Sequence, residues 1–258
     1  MMIQKIRESL PKSWRLKLKY ATGKFSILTF IISLFYGFFL KPSNPSYIYG
    51  KKVPKIFVIP DIYAIDCARS IFVREDYEKF YHIKNGDVVV DVGANVGMFT
   101  VKAAIKASKV IAIEPEERNL KLLEKNVQLH NLKNVVIIKK ALGAKKEKAI
   151  MFRSLLSGTH QLKSVEKSPE FPVNLIEVEV DTLDDVVSKF ALDRIDFLKI
   201  DVEGAELQVL KGGVLSIKIT KNIAMELEMN GSVKKFLEAN GFVVITENNM
   251  LYGKRILT

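Results

Sequence analysis

Three groups of residues in this chain have the types and spacing that chemistry needs. The first is Asp91-Val92-Gly93-Ala94-Asn95-Val96-Gly97. Gly93 and Gly97 permit a tight turn and a close approach of backbone to a ligand, and a helix that starts there offers free N–H groups. The spacing is G-x-x-x-G, not the G-x-G-x-x-G that seats a pyrophosphate on a helix N-terminus. A carboxylate at Asp91 would repel pyrophosphate, but it can accept a hydrogen bond from an ammonium, directly or through water. The second group is Glu114 with Pro115 behind it, at the end of the next apolar run. An acid in that place can accept both hydroxyls of a ribose as a bidentate pair. A glycine turn or a strand-end glutamate alone is usually structural or solvated; the two in consecutive elements point to a ribose-bearing ligand without phosphate.

The third group is Lys199, Asp201, Glu203 and Glu206. In a strand, positions 199, 201 and 203 share one face, so Asp201 and Glu203 would emerge together at its carboxyl end. An alcohol becomes a good nucleophile when a carboxylate within hydrogen-bond reach takes its proton. Asp201 is the first candidate for that base or for orienting the substrate, with Glu203 and Glu226 next. Two other readings stand beside it. Asp201, Glu203 and Glu226 are hard oxygen ligands that would suit a magnesium ion. Alternatively, Lys199 pairs with a carboxylate and simply holds the strand-to-helix turn.

These residues need a frame, and the apolar pattern supplies one. Residues 87–93 (DVVVDVG) and 109–115 (KVIAIEP) are short β-branched runs of the kind found in fully buried parallel strands. Helical spacing follows each, over 97–107 and 116–131. Residues 134–142 (NVVIIKKAL) read as a third strand, whose end at Leu142 could flank an adenine. Residues 195–204 and 222–229 read as strands, and 205–213 and 232–241 as helices closed by glycine. Residues 242–256 read as a hairpin around Asn248-Asn249. The alternation predicts an α/β fold, a doubly wound and mostly parallel sheet with helices on both faces and an antiparallel strand at or near one edge. Ligands in such a sheet sit beyond the carboxyl ends of the strands, where the strand order reverses.

The sequence resembles the FkbM family of methyltransferases that use S-adenosyl-L-methionine (SAM). VVVDVGANVGMFT (88–100) is similar to the family's SAM loop, and IAIEPEERNLKLLEKN (111–126) to its ribose-binding strand and helix. VDTLDD (180–185) precedes a core strand as it does there, and IDFLKIDVEGAELQVLKGG (195–213) is similar to the family's most distinctive run. The likeness spans residues 70 to 256. It implies a seven-stranded class I, Rossmann-like methyltransferase fold. It also implies SAM as cofactor, held by Asp91, Gly93, Ala94, Asn95, Gly97, Glu114, Pro115 and Leu142, and methylation of a hydroxyl oxygen. Asp201 and Glu203 are then the catalytic candidates, and a glycan, lipid-linked sugar or similar small molecule the expected acceptor. A nicotinamide-dependent oxidoreductase and a non-catalytic SAM-binding adaptor are the competing readings.

Residues 1–60 fall outside that likeness. The chain of 258 residues carries a net charge of +11, of which residues 1–24 hold +6. An uncharged apolar run, FSILTFIISLFYGFFL (25–40), follows this basic arm and then gives way to a stretch with Pro42, Pro45, Pro54 and Pro60. The run lies at the lower limit for a membrane-spanning helix, which needs about 17–20 apolar residues, so a short spanning helix, a helix lying in the interface and a buried core helix all stay open. The expectation is therefore a basic arm, an apolar helix and a linker over 1–60, with residues 1–40 meeting an anionic membrane surface rather than nucleic acid. A cytoplasmic methyltransferase domain over 61–258 would follow. One cysteine and three histidines leave little for a zinc site. Cys67 has no visible activating partner, and His82 and His130 read as structural or exposed. His160, in a segment between the two halves (153–163), could accept a proton but is more simply a solvated residue.

Overall fold

The computed structural model describes residues 46–50, 52–58, 62–154, 161–162, 172–227 and 231–256. The basic arm, the apolar run 25–40 and His160 lie outside the described residues. A compact unit extends from Asn44 to Thr258. Among the described residues no helix is long and apolar enough to cross a membrane.

Seven strands form the main sheet. They are β3 (Val88–Val92), β4 (Lys109–Ile113), β5 (Val135–Ile138), β10 (Ile195–Ile200), β11 (Thr220–Glu226), β12 (Phe242–Glu247) and β13 (Met250–Arg255). The spatial order is β12-β13-β11-β10-β3-β4-β5. Five neighbours, β5 through β11, run parallel, and β13 is antiparallel to both β11 and β12. The expected hairpin is present, and its antiparallel strand β13 lies near one edge of the sheet, one place in from β12. Asn248 and Asn249 make the turn with φ of 50° and 64°; two successive left-handed residues match the twist of a tight hairpin, and asparagine tolerates them. This is a class I methyltransferase arrangement. The order reverses between β3 and β10, so their carboxyl ends mark the expected ligand position.

Side-chain alternation divides the core into two layers. On one face Val89, Phe99, Val101, Phe197 and Tyr252 pack together. On the other Val90, Val92, Ile111, Ile113, Leu198, Ile200 and Leu210 do so. The covering helices include α2 (Met98–Ala104), α3 (Glu117–Leu129), α4 (Leu183–Lys189), α5 (Glu206–Lys211), α6 (Val214–Lys218) and α7 (Gly231–Ala239). The Glu116 carboxylate caps α3 by accepting from the Asn119 N–H at 2.9 Å, and the Thr182 hydroxyl caps α4 by accepting from Asp185 N–H at 3.1 Å.

Two segments depart from the sequence expectation. The run 134–142 is not one strand: β5 stops at Ile138, and β6 (Ala141–Leu142) joins a second sheet of order β6-β9-β7-β8. The break falls at Lys139-Lys140, where the Lys140 ammonium turns out to meet Asp181 at 2.9 Å. The rest of that sheet is β7 (Glu147–Ser154), β8 (Gln161–Leu162) and β9 (Pro172–Asp181), with β7 and β9 in a long antiparallel ladder. The stretch read as a linker over 41–60 contains a hairpin of β1 (Ser46–Ile48) and β2 (Ile56–Val58). Ile56 and Val58 are buried in the first core layer. The carboxamide of Asn126 on α3 accepts from the Phe57 N–H at 2.6 Å and donates to the Phe57 carbonyl at 2.9 Å, which fastens this hairpin to the helix. Between β2 and β3 lie helix α1 (Ile62–Arg69), a wide helical turn over Ser70–Arg74 and a single tight turn at Asp76–Glu78.

Candidate cofactor and active site

The carboxyl ends of β3, β4 and β10 open into one pocket. Gly93, Asn95, Glu114, Pro115, Leu142, Asp201 and Glu203 all line it, so seven of the ten residues singled out from the sequence come together. Asn119, Lys140, Ala141 and Met151 are also part of the lining. The last two come from the small second sheet, which no sequence motif announced.

The loop after β3 takes its shape from its glycines. Gly93 has φ +75°, and a Cβ there would lie 1.8 Å from the carbonyl oxygen of Asp201. Only a bare backbone lets the loop pass over the end of β10. Gly97 has φ +86°, and a Cβ there would strike the Leu123 side chain at 2.4 Å, so it seats α2 against α3. Ala94 is buried beside Ala112, Leu120 and Leu123. Gly97 and Ala94 therefore shape the loop from behind and do not line the pocket.

Asp91 also differs from the expectation. It is fully buried, accepts from the Thr100 hydroxyl at 2.6 Å and lies 3.1 Å from the Lys199 ammonium. Its carboxylate is turned into the protein instead of toward a ligand's ammonium. The physical reason is register: Asp91 stands directly beside Lys199 in the β3–β10 ladder, and a central sheet buries both. Lys199 also donates to the Gly93 carbonyl at 2.6 Å and lies 3.6 Å from Asp201 Oδ2. Burial works to lower the pKa of this ammonium, but Asp91 and Asp201 together outweigh it and the net shift is upward. Lys199 thus stays charged and ties the loop to the strand that carries Asp201.

Asp201 itself is partly open, its side chain 30% exposed. A residue that the motifs did not mark holds it: the Tyr77 hydroxyl donates to Asp201 Oδ2 at 2.7 Å. The Tyr77 ring stands edge-on to Phe99 and 5.5 Å from the Lys199 ammonium. Burial first, and then the charges of Asp201 and Glu226, push the phenol well above its ordinary range, so it remains a donor. Its tight turn is anchored by the Tyr252 hydroxyl on the Asp76 carbonyl at 2.6 Å, and by the Lys102 ammonium among the Ile71 carbonyl, Glu75 and Glu78. Glu203 has φ +52°, in the sharp turn that ends β10. Among the described residues no group of three or more His, Cys, Asp or Glu is arranged to hold a metal ion.

Glu114 lines the pocket, buried, just after the end of β4. Its Oε2 accepts from the Asn95 N–H at 2.8 Å; its Oε1 accepts from the Glu116 N–H at 3.0 Å and from Asn119 Nδ2 at 3.4 Å. Burial raises its pKa to about 7, against the lowering effect of those donors.

Residues 91–244 match the methyltransferase FkbM domain. The chain belongs to the FkbM methyltransferase family. Among related proteins, the chain is similar to Methyltransferase 1 of Beauveria bassiana, 29% identical over 69% of this chain and 81% of the relative. It is also similar to the 31-O-demethyl-FK506 methyltransferase FkbM of Streptomyces tacrolimicus, 27% identical over 72% of this chain and 84% of the relative. The crystal structure of methyltransferase FkbM from Methylobacillus flagellatus KT aligns with 79% of this chain and 56% of that one, at 16% identity and a TM-score of 0.47. Membership of the FkbM family makes the chain a methyltransferase and implies the use of SAM. The oxidoreductase and adaptor readings are thereby set aside. Tyr77, which holds Asp201, precedes the residues matched here, and Tyr252, which anchors the turn of Tyr77, follows them.

Proposed function

We propose that this FkbM-family enzyme methylates a hydroxyl oxygen on a glycan, a lipid-linked sugar or a similar small molecule, with Asp201 as the base. The observation that carries this reading is the placement of Asp201. It is a partly exposed carboxylate on the pocket lining, and both Tyr77 and Lys199 meet it at one oxygen, Oδ2. That arrangement leaves Oδ1 for an acceptor hydroxyl.

The pocket suits an adenosyl group. Glu114 presents a buried carboxylate to it, and beside that carboxylate the carboxamide oxygen of Asn119 is buried without a donor. Glu114, Asn95 and Gly93 would hold the cofactor, and Pro115, Leu142 and Met151 supply apolar surface for a base. When bound, SAM supplies an electrophilic methyl group. Asp201 accepts the proton of the acceptor hydroxyl as the oxygen gains its new bond. Lys199 and Tyr77 fix the carboxylate in one orientation, and a fixed group needs no reorganisation as charge moves.

Labelled SAM incubated with sugar and lipid-linked glycan fractions tests the proposal. Label should enter an alkali-stable ether on wild-type protein and vanish in Asp201→Ala. Label that persists in Asp201→Ala, or that enters nitrogen or carbon positions, would overturn it.

A further inference from the structure

The carboxamide of Asn119 is 1% exposed and lines the cofactor pocket. Its Nδ2 faces Glu114, which fixes the amide's orientation, because a carboxamide oxygen turned toward that carboxylate would be repelled. The Oδ1 that this leaves has no hydrogen-bond partner. A buried acceptor without a donor is costly, and in native proteins it usually marks a position that a ligand or water completes.

The hydrogen-bond count at Glu114 says which ligand group belongs there. A carboxylate oxygen offers two lone-pair sites. Both sites of Oε1 are taken, by the Glu116 N–H and by Asn119 Nδ2. Oε2 has spent one site on the Asn95 N–H. Glu114 therefore retains one acceptor position, one short of the two that a vicinal diol requires. Asn119, five residues further on, lines the same pocket and carries the unpartnered oxygen.

We infer that Asn119 is a cofactor-binding residue that accepts a hydrogen bond from one ribose hydroxyl, while Glu114 Oε2 accepts from the other. The ligand chemistry is the cis-diol of a nucleoside, shared between a carboxylate and a carboxamide instead of gripped by one acid. This rests on the reading that the pocket holds the adenosyl part of SAM.

The test is calorimetric binding of S-adenosyl-L-homocysteine and its 2′-deoxy and 3′-deoxy forms to the full chain, as wild type, Asn119→Ala and Asn119→Leu. Each deoxy form should bind wild type about tenfold more weakly than the parent, the effect of one hydrogen bond. In the Asn119 variants one deoxy form should bind as well as the parent, while the other keeps its tenfold loss. Comparing ligands on the same variant cancels any loss of folded protein, and the leucine variant preserves side-chain volume if alanine unfolds the chain. If both deoxy forms keep their full loss in both variants, the role of Asn119 is overturned and the ribose reading stands. If wild type binds the deoxy forms as tightly as the parent, the diol is not read here at all. No binding of the parent to folded wild type would overturn the cofactor reading itself.

Discussion

If Glu114 holds the cofactor as proposed, cofactor affinity should depend on pH near neutrality. Burial holds the Glu114 carboxyl at about 7. Its remaining acceptor position is strongest when it is ionised, because hydrogen bonds to a charged acceptor exceed those to a neutral one. With that midpoint, about a tenth of the protein carries the carboxylate at pH 6 and about nine-tenths at pH 8. If the ionised form alone binds well, S-adenosyl-L-homocysteine affinity rises about tenfold across that interval, and bound ligand draws the group's own midpoint downward. Folding responds with the opposite sign. A carboxyl whose pKa is raised by folding keeps its proton longer in the folded state, so its contribution is most favourable at low pH and is lost as pH climbs from about 4.5 through about 7. Unliganded protein should therefore lose some melting temperature over the interval in which it gains affinity. Calorimetry at half-unit steps from pH 5.5 to 8.5, beside Glu114→Gln, is the assay. The variant removes the titration and with it this component of the pH dependence, so any titration of the ligand's own amino group remains as the baseline. The glutamine also sets an amide nitrogen against the Asn95 or the Glu116 N–H, at a cost of about 1–3 kcal/mol in stability. Identical pH profiles for wild type and Glu114→Gln would refute the reasoning.

Three further outcomes follow from the same geometry. Lys199→Met leaves Asp91 buried without its cation and should cost about 3–5 kcal/mol in urea unfolding; a loss below about 1 kcal/mol would show that the pair is not compensating burial. Gly93→Ala places a Cβ against the Asp201 carbonyl at a positive φ. It should lower stability by at least about 1–2 kcal/mol, the conformational term alone, and abolish homocysteine-analogue binding; a variant with wild-type melting and binding would contradict the loop geometry. Tyr77→Phe deletes one hydrogen bond to Asp201 but keeps the ring against Phe99. It should leave analogue affinity within about twofold and slow methyl transfer by about tenfold, on the scale of one such bond; unchanged turnover would mean that the phenol only packs.

The parallel core of the sheet was legible because central strands are buried on both faces and so read as continuous β-branched runs. Val88–Val92 and Lys109–Ile113 show this, and the glycines after the first run carried the loop. The small second sheet was not legible. Its ladder sets Lys148 and Glu177 at its exposed face, so local composition looks like solvated coil, and its partners are far apart in sequence. The charge at Asp91 was read as serving a ligand because spacing alone does not show which strand lies alongside. Once β3 and β10 are neighbours, Lys199 falls opposite it. That lysine within a buried strand was the signal available. Tyr77 gave none: its contact with Asp201 spans 124 positions of sequence, and a tyrosine in a polar turn has no periodicity to mark it. Asn119 sat within a recognised helix, but only the geometry of its side-chain oxygen distinguishes it from an ordinary polar residue of the first turn.

The strand order also bears on how the enzyme is made. β13 is the seventh strand of its sheet to leave the ribosome, yet it stands between β11 and β12. Until it emerges, β11 presents an open edge with buried-type residues such as Ile223 and Met225 behind it, and β12 has no neighbour to pair with. Nascent chains of this enzyme therefore hold β3 to β11 before the strand that seals β11 exists, and an unsealed edge is the kind that recruits other chains. Synthesis speed and chaperone supply near the final strands, more than anything at the pocket, should govern how much enzyme a cell recovers.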